Sequence, residues 1–245
     1  LADEISGVEN TPGNQVESAA DASWDAWIKY YRPNENSRNS TVSYYDKGSL
    51  LGGVLNMWII QQTKGVKCLD DVFKLLYQTY YLKAGRGFTD QELEDAFSKV
   101  AGISAADFFK TKIYGVKTPA YSSLFNAFGY QFTDANLAKT VPYLGVSIAS
   151  GRVVSIYKGG AAYVAGLNVG DEVSKVNGAD FPGMDKLLVD KKPGDSVVFT
   201  IKRDGMERTF LVAVQQTPLK AFTIVSDASP SEAQLKLRHK WLGGN

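Results

Sequence analysis

Histidine and cysteine are almost missing from this chain, and each shortage removes a class of chemistry. The 245 residues contain one histidine, His239, close to the C-terminal end. A catalytic zinc helix, which needs two histidines at helical spacing, is therefore excluded. The one cysteine, Cys68, allows no internal disulfide, and no histidine can serve as its base, so an inert thiol is expected there and not a nucleophile. Charge of one sign is also lacking: 27 Lys and Arg stand against 26 Asp and Glu, and no long basic run breaks the balance. General attraction to nucleic acid or to an anionic membrane is not expected. No apolar run is long enough to span a bilayer, so a membrane span is not expected either. The sequence opens on Leu1 without a methionine or a charged-then-apolar leader, as expected of a processed chain or a piece of a longer one. Cytoplasmic, periplasmic and secreted locations all remain open.

What is present suits a soluble globular protein, since 44% hydrophobic and 22% charged residues over this length are enough for two modest domains. Residues 1–132 read as helical. Leu50, Leu51, Val54, Leu55, Trp58 and Ile59 form one stripe at helical spacing, and Gly65 is placed to end that helix. A second helix is expected from Leu69 to Leu82, with Asp70 and Asp71 favouring its positive end and Cys68 at its N-cap. Thr89-Asp90-Gln91-Glu92 matches a capping box, Leu93, Ala96, Phe97 and Val100 follow as its buried face, and Gly102 closes it. Ser104 is placed to cap a short helix holding Phe108 and Phe109. Trp24, Trp27, Tyr30 and Tyr31 recur at three- and four-residue spacing, which favours packing over a substrate wall. Arg32, Arg38 and Lys47 read as solvated charge.

Near Val141 the pattern becomes β-branched and glycine-punctuated, which marks a domain boundary. Strands are expected at Leu144–Ala149, Arg152–Tyr157, Glu172–Val176, Ser196–Lys202 and Arg208–Val214, with Asp204-Gly205 turning between the last two. Short helices fit Ala161–Ala165 and Met184–Val189. A module over residues 141–215 follows, and 216–245 reads as a C-terminal tail with one short helix. That helix is expected at Ala233–Leu242 after Ser229-Pro230-Ser231-Glu232, with Pro at the first helical position.

Two family resemblances cover these halves. Tyr143-Leu144-Gly145-Val146, Gly159-Gly160-Ala161-Ala162, Ala165-Gly166-Leu167, Gly170-Asp171-Glu172-Val173 with Asn177-Gly178, and Pro193-Gly194-Asp195 occur in an order that resembles PDZ domains of bacterial proteases. Trp24-Asp25-Ala26-Trp27-Ile28-Lys29-Tyr30-Tyr31-Arg32-Pro33-Asn34-Glu35-Asn36-Ser37, then Val42-Ser43-Tyr44-Tyr45-Asp46-Lys47-Gly48 and Leu69-Asp70-Asp71-Val72, resemble the M61 (glycyl aminopeptidase) metallopeptidases, which also carry a C-terminal PDZ domain. The implied fold class is α+β multidomain: the helical C-terminal part of a gluzincin-like catalytic domain, followed by a PDZ-like β-rich domain.

The resemblance implies a zinc-dependent aminopeptidase as the parent, whose HExxH helix and third ligand are expected upstream of Leu1. This chain is expected to hold no metal and to be inactive alone. The implied catalytic residue is Tyr45, ahead of Asp46-Lys47-Gly48, whose hydroxyl stabilises the tetrahedral intermediate; aromatic packing of Tyr44 and Tyr45 is the other reading. In the PDZ module the N–H groups of Leu144, Gly145 and Val146 are placed to hold a chain-terminal carboxylate. A peptide strand would lie along Val146, Ser147 and Ile148, with a side chain against Met184, Leu187 or Leu188. The expected partner is a peptide or protein C-terminus, or intramolecular docking; alternatively, Leu144 and Val146 are core residues and the groove is empty or filled by the chain itself. A non-catalytic PDZ scaffold with a helical platform is the alternative function.

Overall fold

The computed structural model describes residues 1–243. Its first part is a helical body. Helix α1 (Ala2–Glu9) and a 3-10 turn (Pro12–Gln15) lead to α2 (Ala19–Trp24), capped by Ser18, and to the one-turn α3 (Ser37–Ser40). Helix α4 (Tyr44–Gln62) is the axis of the body. Seven apolar residues, Leu50, Leu51, Val54, Leu55, Met57, Ile59 and Ile60, are buried along it, each contributing about 1.5–3 kcal/mol. Helix α5 (Leu69–Leu76) starts where Asp71 accepts from the Cys68 backbone N–H at 2.9 Å. It does not continue as one α-helix to Leu82, because Tyr77–Lys83 widens into π geometry and leaves Tyr77, Tyr81 and Leu82 exposed.

Helix α6 (Asp90–Ala101) has the expected capping box, and Gly102 ends it in the left-handed conformation. Arg86 forks onto Glu92, which with the Thr89 N–H holds that carboxylate down to about 2. Helix α7 (Ala106–Phe108) has Ala105 at its N-cap position and no side-chain cap there; the Ser104 hydroxyl, one residue earlier than a cap, accepts from the Ala106 N–H at 3.2 Å. A second π turn (Phe109–Ile113) follows, then α8 (Tyr121–Ala127).

After α8 the chain makes strand β1 (Tyr130–Asp134) and enters the β module through β2 (Pro142–Tyr143). Strands β3 (Val146–Ala149) and β4 (Arg152–Ile156), helix α9 (Ala161–Ala165), β5 (Glu172–Val176), helix α10 (Met184–Leu188), β6 (Ser196–Arg203) and β7 (Met206–Ala213) follow in order. They form a five-stranded antiparallel sheet ordered β3-β4-β5-β6-β7, with a core of Leu144, Val153, Leu167, Val197, Phe199, Ile201 and Val212. Asp204 and Gly205 both have positive φ, as a two-residue hairpin requires, and pair Arg203 with Met206.

The last segment is more than a tail with a helix. Strand β8 (Gln215–Gln216) pairs with β2, and β9 (Phe222–Ser226) pairs with β1 in register from Tyr130 opposite Ser226 to Asp134 opposite Phe222. Helix α11 (Glu232–Trp241) is capped by Ser231, so Pro230 lies one position before the cap. It docks on the helical body: Trp241 packs on Phe125, Phe128 and Tyr130, and the Arg238 guanidinium lies 4.1 Å over the Tyr130 ring while its Nε donates to the Phe128 carbonyl at 2.9 Å. The PDZ-like module is thus inserted in the chain between β1 and β9, which pair with each other and pack Phe132, Phe222 and Ile224 on the body. Residues 244 and 245 of the expected tail lie outside the described residues. Among the described residues, no helix is long and apolar enough to cross a membrane.

Candidate functional site

The aromatic tract meets the start of α4. Ser43 caps that helix by accepting from the Asp46 N–H at 3.2 Å, which makes Tyr44 and Tyr45 its first two residues. Opposite them is an irregular turn, because α2 stops at Trp24 and residues 25–32 continue in turns. This overturns the expectation of core packing for the tryptophans. The inward positions are the small Ala22 and Ala26, so Trp24 is 89% exposed and Trp27 78%. Trp24 is the last residue of α2, two positions from the inward Ala22 and so on the opposite face, and Trp27 comes after the helix has ended.

Two buried charges hold this turn against α4. The Glu17 carboxylate accepts from the Val42 N–H and from Lys29 Nζ, both at 3.0 Å, and Lys29 also pairs with Asp25 at 2.7 Å. Those bonds, Asp25 first and then Glu17, raise the Lys29 pKa. Lys47 is not solvated, contrary to the sequence reading. It is buried, its Nζ donates to the carbonyls of Asn14 at 3.2 Å and Glu17 at 2.8 Å, and burial pushes its pKa down. Arg32 and Arg38 are exposed.

The result is a cluster of phenols. The Tyr31 hydroxyl lies 2.9 Å from that of Tyr45 and 3.1 Å from that of Tyr44. Tyr31 stacks on Trp27 at 5.0 Å and meets the edge of Tyr30 at 5.2 Å. Tyr45 is half exposed, and its neighbouring hydroxyls, Tyr31 first and Tyr44 second, lower its pKa. Tyr44 is pushed up, by Tyr31 and then by Tyr45. The phenol most ready to carry negative charge is therefore the one facing outward.

No group of three or more His, Cys, Asp or Glu residues that could hold a metal occurs among the described residues. His239 lies on α11, and Cys68, Asp70 and Asp71 belong to the start of α5. The described residues do not fit a zinc ion.

In the β module, β3 is an edge strand. Val146 faces the core and Ile148 is half-buried, whereas Ser147 and Ala149 are exposed, and the pairing with β4 shifts between Ser147 and Ile148. Leu144 is fully buried, and the carbonyls of Leu144 and Gly145 accept from the Ala162 and Tyr157 N–H groups at 2.8 and 2.9 Å. Gly145 has positive φ and lies against Gly160, where a side chain would crowd the backbone. Leu187 is buried, with Met184 and Leu188 half-buried on the same core. The structure thus brings Leu144, Gly145, Val146, Ser147 and Ile148 together on one loop and strand, and Met184, Leu187 and Leu188 on one helix.

Sequence reasoning missed Asn39. Its amide donates to the Ile156 carbonyl at 2.8 Å and accepts from the Lys158 N–H at 2.9 Å, so one buried side chain joins the aromatic tract to the end of β4. Between those two contacts lies Tyr157, whose N–H holds the Gly145 carbonyl. An asparagine within a polar run carries no periodic signal, so nothing in the sequence marks it.

Residues 1–51 match the M61 glycyl aminopeptidase family, and residues 127–214 match the PDZ domain. Among solved structures, an aminopeptidase N family protein from Idiomarina loihiensis aligns at 26% identity with a TM-score of 0.82, over 96% of this chain and 42% of its own. This chain therefore spans less than half the length of that relative. A serine endoprotease from Yersinia pestis aligns at 20% identity and TM-score 0.29, over 32% of this chain and 30% of its own. An HtrA-type protease with a decapeptide aligns at 17% identity and TM-score 0.30, over 33% of this chain and 30% of its own. No curated protein matches. The chain carries a segment of the M61 glycyl aminopeptidase family followed by a PDZ domain.

Proposed function

We propose that this chain is the C-terminal portion of a zinc-dependent aminopeptidase, and that its own contribution to peptide-bond hydrolysis is the Tyr45 hydroxyl. In this reading the zinc ligands and general base are supplied by other residues of the parent; no metal-holding group of His, Cys, Asp or Glu occurs among the described residues. The carrying observation is the placement of Tyr45: an exposed phenol in the first turn of a 19-residue helix, with a second hydroxyl 2.9 Å from its oxygen. A carbonyl under attack gathers negative charge on its oxygen, and a phenol donates a hydrogen bond to that oxygen without being a strong acid or base. The positive end of α4 and the Tyr31 bond both favour charge at this point. A small N-terminal residue, glycine or alanine, is the substrate that the family name suggests.

In the full-length parent, Tyr45→Phe is expected to lower turnover of a glycyl or alanyl amide about a hundredfold with the fold intact. Unchanged turnover would remove Tyr45 from the mechanism.

The PDZ groove is proposed to take a peptide or protein C-terminus. The loop N–H groups of Leu144, Gly145 and Val146 would meet the carboxylate, the peptide would add to β3, and its side chain would enter between β3 and Met184, Leu187 and Leu188. The edge position of β3 supports this. A C-terminal peptide is expected to bind at least about tenfold tighter than its amidated twin, since charge-assisted bonds are lost with the carboxylate. Equal affinity in a titration of both peptides would show that the loop does not read a carboxylate.

A further inference from the structure

Tyr45 does not stand alone at the head of α4. Tyr31 reaches it from the turn segment and lies between two phenols, 2.9 Å from Tyr45 and 3.1 Å from Tyr44. Each phenol has a single proton to donate, so the direction of these bonds is constrained. For Tyr45 to give its proton outward, its oxygen has to accept, and Tyr31 is the donor in reach. Tyr31 then has no proton left for Tyr44, so Tyr44 donates to Tyr31. The three hydroxyls form one directed chain.

We infer that Tyr31 is a positioning residue: backed by Tyr44, its hydroxyl donates to the Tyr45 oxygen, aims the Tyr45 proton at the substrate side and supports the charge that grows on that oxygen. This rests on the proposed role of Tyr45 as the oxyanion donor. The chain also gives Tyr44, adjacent to Tyr45 and also a phenol, a separate part as the far end.

Packing holds Tyr31 in place. Its ring is stacked on Trp27 and edged by Tyr30, and its N–H donates to the Ala26 carbonyl at 3.0 Å, so the hydroxyl cannot swing away freely. Exposure follows the direction of the chain, with Tyr45 open and Tyr44 half-buried. The acidities run the same way, lowered at Tyr45 and raised at Tyr44. A phenolate at Tyr45 keeps every donor in its direction, whereas one at Tyr44 would force both bonds to reverse. Consecutive hydroxyl bonds polarise one another, so removing the middle member should be felt at the end. The groups that shift Tyr45 are Tyr31 and Tyr44, opposed by its own desolvation; Tyr30 adds an edge contact at 5.9 Å.

The test is a pH titration of this chain labelled with 13C at tyrosine Cζ, with the Tyr45 resonance assigned by its loss in Tyr45→Phe. Tyr31→Phe keeps the stacked ring and is expected to raise the Tyr45 midpoint by about one pH unit, the scale of a lost hydrogen bond to the charged form. Tyr44→Phe should raise it by less. In the parent, Tyr31→Phe should lower kcat about tenfold with KM nearly unchanged, because the bond strengthens only as charge develops. An unmoved Tyr45 midpoint in Tyr31→Phe overturns the inference, whatever Tyr45 does in catalysis. If the midpoint moves but Tyr45→Phe leaves the parent's turnover intact, the hydroxyl chain stands and the oxyanion role of Tyr45 is what fails.

Discussion

Gly13→Ala is expected to destabilise the chain by about 4 kcal/mol, the upper end for a single substitution, because backbone has to move. A Cβ on Gly13 would lie 2.0 Å from the Thr41 oxygen and 2.5 Å from the Thr41 carbonyl carbon and nitrogen. The φ of Gly13 is not positive, so the cost is purely steric. Neither strand of backbone can yield easily. The Gly13 carbonyl accepts from the Val16 and Glu17 N–H groups at 2.9 and 2.8 Å, and Thr41 leads directly into Val42, whose N–H is held by the buried Glu17 carboxylate. Separating the two would also shift Tyr44 and Tyr45 at the head of α4. Gly7, inside α1 with nothing within 4 Å of an added Cβ, is the control. Gly7→Ala should stabilise by about 0.5–1 kcal/mol, as alanine replaces glycine in a helix. Urea unfolding of both variants makes the comparison, and a wild-type midpoint for Gly13→Ala would mean that the close approach does not exist in solution.

Lys47→Met is expected to cost about 3 kcal/mol, since it leaves two buried carbonyls without a donor while keeping the aliphatic stem. The ammonium serves the backbone of Asn14 and Glu17, and its loss also removes the positive charge that faces Glu9, Glu17 and Asp21. Lys29→Met is the contrast. Lys29 is 42% exposed, and the buried Glu17 carboxylate that it leaves behind keeps the Val42 N–H and the nearby Lys47 charge, so its loss should cost about 1–2 kcal/mol, less than that of Lys47. The pH dependence has a definite sign. Burial puts the Lys47 pKa below its ordinary value of 10.5, so between those two values the unfolded chain holds more protons than the native one. Stability relative to Lys47→Met should therefore rise with pH through that window. A loss similar to that of Lys29→Met, with no rise at alkaline pH, would mean that water reaches the two carbonyls.

Local chemistry was legible wherever a few neighbouring residues decide the backbone. The Thr89 and Glu92 capping box, the Gly102 stop and the Asp204-Gly205 hairpin are of this kind, and the structure has each of them. The positions of the five PDZ strands were legible from β-branched runs set between turn residues. What was not legible depends on partners distant in the chain. Strands β1 and β9 are short, and each gains its partner only across the whole β module, so neither stands out in its own stretch of sequence. Lys47 looks like any surface lysine until the loop at Asn14–Glu17 is folded over it. At the candidate site, Tyr45 was marked by resemblance to M61 peptidases, while Tyr31, fourteen positions earlier, was grouped with packing aromatics. Spacing along a helix predicted burial for the tryptophans because nothing in the composition reveals that α2 ends at Trp24.

The pairing of β1 with β9 sets the order in which the molecule can be completed. The helical body lacks its last strand and its last helix until the ribosome has passed the entire PDZ module. The module itself is contiguous between β2 and β8 and has its own core, so it can fold as soon as it emerges. Folding it brings the two ends of a long loop close together, which removes most of the closure entropy that β1 and β9 would otherwise face. The later domain thus acts as a splint for the earlier one, and damage to the PDZ core should appear first as slow closure of the helical body around Trp241.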